Sequence, residues 1–407
     1  MRKQISIAAI AALCLLGSTQ AIKGQSNPVD NQVIEWRRHI HQNPELSFKE
    51  NNTADYAEQI LKKLGNIEVS RPTPTSVIGI LKGGKPGKTV AFRADMDALP
   101  VQEETGLPFA SSVKGVSHAC GHDAHTAMLL GTATTLSKMQ KQIPGTVYFI
   151  FQHAEELYPG GAQEIIKSGA LKGINAFFGV HVVPNLPAGT IGILPSGAAS
   201  TNSDGFNLTI QGKGSHGSMP NLGVDPIVVG AEIVTNLQTI ISRNVTPGEM
   251  AVITIGRFQS GKANNVIPET ADLGATVRTT TDETRKLVAD RIKTMVNDIC
   301  HAYGAKADLD YIFSYSAIQN SKELCELARK AAILAIGKDN VVDVPRMTAS
   351  EDFSYYKEVA PTCFIVLGVG KGPANHSSKF NLDEKALSNG VKAEVQIIMD
   401  YLKSKTR

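Results

Sequence analysis

Hydrophobic and polar positions follow two different periods along the first half of the chain. Apolar spacing is helical over residues 29–64, and Gly65 is a residue type that commonly ends a helix. Runs rich in apolar residues, typical of strands, follow at 76–81, 89–92, 145–151 and 176–183. Helical patterns lie between them at 123–139 and 162–168. Strands that alternate with helices predict an α/β domain with a largely parallel sheet.

The pattern changes after about residue 203. Strands are predicted at 206–211, 250–258, 271–279 and 307–313, and helices at 226–241 and 282–303. The order β-α-β-β-α-β is that of a compact two-layer α+β unit. The first pattern resumes from residue 323, with a buried strand at 362–369. We therefore predict a large domain formed by 28–202 and 315–407, into which a smaller domain, 203–314, is inserted.

The N-terminal segment has the pattern of an export signal. Arg2 and Lys3 precede an apolar stretch over residues 5–16, and small and polar residues lead to a cleavage position near Ala21. The apolar stretch is too short for a comfortable membrane span. Residues 1–22 are therefore predicted to be a signal peptide, and we expect the mature protein in the periplasm or outside the cell.

Composition and charge exclude several classes of protein. A chain of 407 residues is longer than a single core usually holds, and 42% hydrophobic with 19% charged residues is ordinary globular composition. The net charge is +3, and removal of Arg2 and Lys3 leaves +1, so nothing favours nucleic acid or an anionic membrane as partner. The cysteines that follow the predicted signal peptide are Cys120, Cys300, Cys325 and Cys363. They are too few and too dispersed for a disulfide framework, although one pair could bridge in an oxidising compartment.

Residue types that bind metals are crowded around one predicted helix start. Three histidines, a cysteine and an aspartate lie within residues 117–125. Gly121 separates Cys120 from His122 and allows a turn tight enough for both side chains to reach one ion. A cysteine and a histidine packed in a turn without metal is the alternative for this motif taken alone.

Three further strand ends carry similar residue types. Glu155 and Glu156 follow a buried strand, His181 ends the next one, and His376 follows the last. Ligands of open α/β sheets bind at the carboxyl ends of strands, so these side chains are expected at one edge. Adjacent carboxylates suit a hydrolytic metal site, where one binds metal and the other acts as general base. Each could alone be a solvated glutamate or a hydrogen-bonded core histidine.

The order of several motifs is similar to that of a known family. The motifs are 36–38 with 44–47, 93–100, 118–123, the Glu155–Glu156 pair, His181, 350–353 and His376. From about residue 33 onward the chain resembles the di-metal amidohydrolases and carboxypeptidases that include hippurate hydrolase, auxin–amino-acid conjugate hydrolases and N-acetyl-diaminopimelate deacetylase. The sequence differs from the common pattern at His153 and Asn375, which bears on pocket shape.

This resemblance implies roles for individual residues. Two divalent cations, zinc or manganese, are expected, and their ligands are Cys120, His122, Glu156, His181 and His376. Glu155 is the implied general base. The inserted domain is implied to be a lid and dimerisation domain of a homodimer, whose His216 reaches the partner's active site, while Asn265 and Arg278 hold the substrate. We expect Asp97 to fix the metal ligands by hydrogen bonding.

The expected activity is metal-assisted hydrolysis of an N-acyl amino acid or short peptide with a free carboxylate. Two alternatives remain at this point: a cysteine amidase, with Cys120 as nucleophile and His122 or His125 as base, and a secreted binding protein with a decayed site. A dinucleotide site at residues 212–217, which fit Gly-x-Gly-x-x-Gly, is excluded because no helix follows directly.

Overall fold

The computed structural model describes residues 28–404. Its α-helices are, in chain order, α1 (Pro28–Gln42), α2 (Asn51–Lys63), α3 (His122–Lys138), α4 (Gly161–Lys167), α5 (Pro226–Asn244), α6 (Asp282–Ala302), α7 (Lys322–Ile336) and α8 (Ala386–Lys403). Its strands are β1 (Glu68–Ser70), β2 (Val77–Lys82), β3 (Lys85–Asp95), β4 (Pro144–Gln152), β5 (Ala176–Val183), β6 (Ile191–Ile193), β7 (Gly197–Ala198), β8 (Asn202–Gln211), β9 (Ser215–His216), β10 (Ala251–Ser260), β11 (Val266–Ile267), β12 (Thr270–Thr279), β13 (Lys306–Phe313), β14 (Gln319–Asn320), β15 (Val341–Asp343) and β16 (Thr362–Gly368).

A ten-stranded sheet organises the larger part of the chain. Its main order is β1-β2-β4-β3-β5-β16-β14-β7, with β6 paired to β16 and β15 paired to β6. The four central strands β4, β3, β5 and β16 run parallel. Their carboxyl ends therefore open on one edge of the sheet, which is where sequence reasoning expects the metal ligands.

Side chains of the central strands alternate between two buried layers, as the twofold period of a strand requires. On β16, Cys363, Ile365 and Leu367 pack into one core, which α3, α7 and α8 cover. Phe364 and Val366 pack into the other core, beneath α4 and the 3₁₀ segment Asp352–Glu358. Because both faces are covered, β5 and β16 are apolar at nearly every position.

A second, smaller sheet forms a separate domain. Its antiparallel order is β10-β12-β8-β13, and α5 and α6 pack against it around a core of their own. Strands β9 and β11 pair as a short ribbon beside it. The predicted α/β class, with an additional α+β unit of order β-α-β-β-α-β, is confirmed.

The helical stretch predicted over 29–64 is in fact two helices. Helix α1 ends at Gln42 and α2 begins at Asn51, with Pro44 between them. Proline disfavours helical geometry at the residue before it, so the first helix cannot continue. The carboxylate of Glu45 accepts hydrogen bonds from the backbone nitrogens of Asn52 and Thr53, at 3.1 and 2.8 Å, and satisfies the start of α2. The apolar period alone did not show this break.

Within residues 28–404, no helix combines the length and apolar character needed to cross a bilayer. The predicted signal peptide, residues 1–22, lies outside the described residues.

One carboxyl group is buried between the helices of the larger core. Glu394 on α8 accepts a hydrogen bond of 2.6 Å from the hydroxyl of Thr132 on α3, and its second oxygen has no hydrogen-bond partner. Burial raises the pKa of Glu394 from an ordinary 4.5 to about 8, and the Thr132 hydroxyl offsets only part of the effect. The folded chain therefore retains a proton here that the unfolded chain releases.

We expect Glu394→Gln to stabilise the protein at alkaline pH. Since the folded pKa lies above the unfolded one, Glu394 costs stability progressively as pH rises from about 4.5 to about 8. The glutamine keeps the Thr132 hydrogen bond without a titrating proton. The free energy of unfolding in urea should rise by about 1–3 kcal/mol at pH 8 and clearly less at pH 5. Equal gains at both pH values, or a gain in the exposed control Glu326→Gln, would contradict this assignment.

Candidate metal centre

The carboxyl ends of the parallel strands bring the predicted metal ligands together. Cys120 and His122 lie at the start of α3, Glu156 follows β4, His181 lies near the end of β5, and His376 follows β16. The ligand atoms of Cys120, His122 and His181 lie within 4.8 Å of one another, and so do those of Cys120, Glu156 and His376. The two groups share the Cys120 thiol, so all five candidate ligands lie in one cluster.

Local backbone conformation explains how the turn before α3 supplies two ligands. Gly121 has a φ of 91°, in the left-handed region, and a Cβ there would lie 2.3 Å from the Val182 side chain. A larger residue would therefore displace either Cys120 or the end of β5. His376 and Ala154 also have positive φ values, 69° and 52°, although neither is glycine. Such backbone strain is typical of functional sites.

Hydrogen bonds orient the imidazoles of His122 and His181 so that one nitrogen of each faces the centre. The Nδ1 of His181 donates to the Val182 carbonyl at 2.8 Å, which leaves Nε2 facing the Cys120 Sγ at 3.3 Å. The Nδ1 of His122 lies 2.9 Å from the Asp97 carbonyl oxygen. Its Nε2 is buried without a hydrogen-bond partner. Metal-binding histidines show this division, in which the outer nitrogen is held and the inner lone pair is available.

The remaining ligand atoms point to the same space. Oε1 of Glu156 lies 3.3 Å from Nε2 of His376 and 3.8 Å from Nε2 of His122, and it too is buried without a hydrogen bond. Burial, followed by the carboxylates of Glu156 and Glu155, raises the pKa of the Cys120 thiol well above its ordinary value. A thiol among carboxylates loses its proton when a bound cation compensates the negative charge around it. The donor set therefore fits soft-to-borderline divalent metals.

Asp97 holds the backbone that carries both glutamates. Its carboxylate accepts the backbone N–H groups of Glu155 and Glu156, both at 3.0 Å, and the hydroxyl of Ser47 at 2.6 Å. It also lies 3.2 Å from Nδ1 of His122. One buried carboxylate thus fixes a metal ligand and the candidate base relative to each other.

Glu155 lies beside the candidate ligands, and its carboxylate is close enough to His122 and Glu156 to form a possible metal group with them. Its side chain is buried, and Oε2 is 4.0 Å from Nε2 of His122. Burial, then the carboxylates of Glu351 and Glu156, raise the pKa of Glu155 well above its ordinary value. A carboxylate with a raised pKa can accept a proton from water, which an ordinary glutamate does poorly at neutral pH.

Asp95 and His125 also lie near the centre, but their polar atoms are already engaged. Nδ1 of His125 donates to Asp95 at 2.6 Å, and Nε2 accepts the Val182 N–H at 2.8 Å. His125 therefore has no free nitrogen for a metal. It braces the end of β5, which carries His181. From the sequence, His125 is only an alternative base, because its spacing from His122 on one helix does not separate a ligand from a supporting residue.

The same contacts argue against His125 as the base of a Cys120 nucleophile, because neither of its nitrogens has a lone pair available. The raised pKa of Cys120 opposes thiolate formation, which a cysteine nucleophile requires.

A buried arginine fixes the far wall of the site. Arg93 on β3 donates from Nη1 to Asp95 at 2.6 Å, and from Nη2 to Glu351 at 2.9 Å and Asp352 at 2.8 Å. Burial opposes its charge, but these three carboxylates raise the pKa of Arg93 well above its ordinary value. The motif at 350–353 thereby connects the loop after β15 to the centre of the sheet. Sequence reasoning identified this motif but not its arginine partner.

The structure also places the two residues that depart from the common pattern. Asn375 donates to the backbone carbonyls of Cys120 and Val182, at 3.1 and 3.4 Å, so it connects the loop of His376 to two other parts of the site. His153 is buried and points away from the site, with Nε2 3.0 Å from a carboxylate oxygen of Glu164. It supports α4 and is not positioned for catalysis.

A cavity of about 720 Å³ opens over these residues and is bounded by both domains. Arg278 on β12 of the small sheet lines it, together with Cys120, Glu155 and Tyr315. His216 and Asn265 are not part of its lining; both are exposed on the β9–β11 side of the small domain. One copy of the chain therefore brings together the candidate metal ligands, Glu155, Asp97 and Arg278, but not His216 or Asn265.

Known proteins share this arrangement of motifs and fold. The model of peptidase family M20/M25/M40 matches residues 91–400. An N-acyl-L-amino acid amidohydrolase of Geobacillus stearothermophilus is 45% identical over 304 residues, 75% of this chain and 82% of that protein. Thermostable carboxypeptidase 1 of Saccharolobus solfataricus is 37% identical over 390 residues, 94% of this chain and 98% of that protein.

A solved structure gives the same result for the fold. A dinuclear metal binding peptidase of the M20 family from Bacillus subtilis superposes with a TM-score of 0.81 and 36% identity, over 92% of this chain and 99% of that one. The resemblance drawn from the motifs is confirmed: the chain belongs to peptidase family M20/M25/M40.

Proposed function

We propose that the protein is a metal-dependent amide hydrolase that cleaves N-acyl amino acids or short peptides with a free carboxylate. The observation that carries this proposal is the cluster of candidate ligand atoms, of which His122 Nε2 and Glu156 Oε1 are buried without a hydrogen bond, beside a second buried carboxylate, Glu155, whose pKa is raised. The amidohydrolase and carboxypeptidase relatives support the class of bond. A protein that only binds metal has no need of Glu155 at this position.

Two divalent ions would be held by Cys120, His122, Glu156, His181 and His376. Thiolate and imidazole favour zinc, while the carboxylate also suits manganese. Bound there, such ions supply Lewis acidity toward water and the amide carbonyl. The dinuclear metal binding relative supports the number of ions.

The chain's own residues perform the proton transfers and hold the substrate. Glu155 takes a proton from the attacking water and, once protonated, delivers it to the leaving amine nitrogen. Asp97 keeps Glu155 in place through the backbone of the loop. Arg278 binds the substrate's free carboxylate, for which a guanidinium fork is well suited.

We propose further that a homodimer completes the site, with His216 and Asn265 reaching the partner's cavity. Both residues are exposed and outside the cavity of their own subunit. The small domain also exposes apolar side chains, including Met219, Leu222 and Val266, each more than half accessible. Exposed apolar surface of this kind is typical of a protein interface. His216 would stabilise the negative charge that develops on the carbonyl oxygen.

Replacement of the base should separate catalysis from metal binding. We expect Glu155→Gln to lower kcat by about 10²–10⁴-fold, because the proton acceptor is lost while the ligands remain. Glu156→Gln, its neighbour and matched control, should instead lose bound metal. Metal content by elemental analysis and kcat on N-acetyl-methionine measure the two effects. Turnover retained in Glu155→Gln would refute the assignment of the base.

Metal removal should abolish hydrolysis reversibly. After chelation, confirmed by elemental analysis, we expect no turnover of N-acetyl, N-benzoyl or dipeptide substrates, and recovery with zinc or manganese. Full activity in the metal-free protein would refute the metal mechanism and favour Cys120 as nucleophile.

Mixed dimers should reveal whether His216 acts across the interface. His216→Ala and Glu155→Gln homodimers are each expected to be inactive. If subunits exchange randomly at equal amounts, half of the dimers are mixed, and each mixed dimer has one complete site, so about a quarter of the wild-type activity should return. No recovery, with mixed dimers demonstrated by native mass spectrometry, would place His216 outside the partner's site.

A further inference from the structure

We propose that Arg346 is a second anion-binding residue of the cavity, so that the enzyme favours N-acyl amino acids that carry a second carboxylate on the side chain or on the acyl group. This inference rests on the proposed amide hydrolase function. Arg346 and Arg278 both line the cavity that opens over Glu155, and they come from different domains.

Neither arginine has a carboxylate partner among the described residues. The acidic side chains that line the cavity are Glu155, Glu156 and Glu351. Glu351 is engaged by Arg93, and Glu156 faces His376 and His122. Arg278 donates to a threonine hydroxyl and to backbone oxygens, none of which carries charge. Both guanidinium groups are therefore half-buried cations without an anion.

The geometry of Arg346 leaves its fork available. Its Nε donates to the Ala198 carbonyl at 2.6 Å, and neither Nη nitrogen has a hydrogen bond within residues 28–404. The two Nη groups are the ones that grip a carboxylate through parallel hydrogen bonds. Fixing Nε reduces the conformational freedom that binding would otherwise have to remove.

The segment around Arg346 is held firmly. The backbone nitrogens of Val344 and Met347 donate to Ile193 and Ala199 at 3.1 and 3.0 Å. The Thr348 carbonyl accepts the Thr201 hydroxyl at 3.0 Å. With Arg93 holding Glu351, the segment is fixed on both sides of Arg346. A residue anchored in this way presents its charge at a defined position in the cavity.

The two guanidinium groups, of Arg278 and Arg346, could each pair with one carboxylate of a substrate. The α-carboxylate of an N-acyl amino acid satisfies one guanidinium, which we assign to Arg278. Burial lowers the pKa of Arg278, an effect that the carboxylate of Asp204 opposes, although Asp204 forms its ion pair with Arg285. Arg346 lies in a wall with apolar neighbours that include Val344, Met347 and Leu194. A neutral substrate tail would leave its guanidinium partly desolvated and unpaired, whereas a carboxylate would pair with it.

Acid and amide forms of the same substrate test this inference. N-acetyl-glutamate is compared with N-acetyl-glutamine, and N-succinyl-methionine with its succinamide form, so that each pair differs only in one charge. We expect the wild-type enzyme to prefer the acid in at least one pair by about 10- to 100-fold in kcat/KM, mainly through KM. The pair that shows the preference tells whether the second carboxylate belongs to the side chain or to the acyl group.

Variants distinguish recognition from structural support. Arg346→Gln should abolish the acid preference while hydrolysis of the amide substrates changes less than about threefold, and Arg346→Lys should restore part of it. Arg278→Gln should weaken acid and amide alike. Arg243→Gln, on the exposed surface of α5, is the control and should leave all four substrates unchanged.

Two outcomes would overturn the inference. One is a wild-type enzyme that hydrolyses all four substrates without acid preference; the other is an Arg346→Gln variant that loses acid and amide substrates equally. Failure of the proposed function is distinguishable, because a metal-loaded wild-type enzyme would then hydrolyse none of these substrates, nor N-acetyl-methionine.

Discussion

The site depends on one electrostatic constraint, the crowding of carboxylates at the carboxyl edge of the large sheet. Asp95, Asp97, Glu155, Glu156, Glu351 and Asp352 meet there. Arg93 neutralises only part of this charge, and water is largely excluded because most of these side chains are buried. A group of buried carboxylates is stable only when cations or protons compensate it. Divalent ions would meet that requirement, so the same residues that repel one another without metal are suited to the ligand and base roles that we propose.

Each carboxylate of this group has a different set of hydrogen-bond donors and charged neighbours. Asp97 accepts backbone N–H groups and a hydroxyl, which fixes it as an anion that organises the loop. Asp95 is paired with Arg93 and His125. Glu156 faces His376, while Glu155 has carboxylates as its main charged neighbours. Environment therefore distinguishes the proposed ligand Glu156 from the proposed base Glu155, two adjacent residues of the same type, and chemically identical groups can in this way differ in protonation behaviour.

The sequence predicted the architecture and the convergence of the candidate ligands because both depend on local patterns. Apolar runs marked the parallel strands, and metal-binding residue types followed their ends, so the topology alone predicted where Cys120, Glu156 and His181 would meet. What it missed depends on contacts between distant segments. Arg93 meets Asp352 across more than 250 positions, and Asn375 meets Cys120 across a similar separation. The break at Pro44 was missed for a different reason, since apolar spacing continued on both sides of it.

The two domains contribute different kinds of residue to the site. The large domain holds the candidate ligands and the candidate base, which come from strand ends whose positions the core determines. The small domain contributes Arg278 to the cavity of its own subunit, but its His216 and Asn265 are exposed outside that cavity. In the homodimer that we propose, the site is complete only when the partner supplies His216. Substrate selection can then vary through Arg278, Arg346 and the apolar wall between them, while the metal ligands remain unchanged.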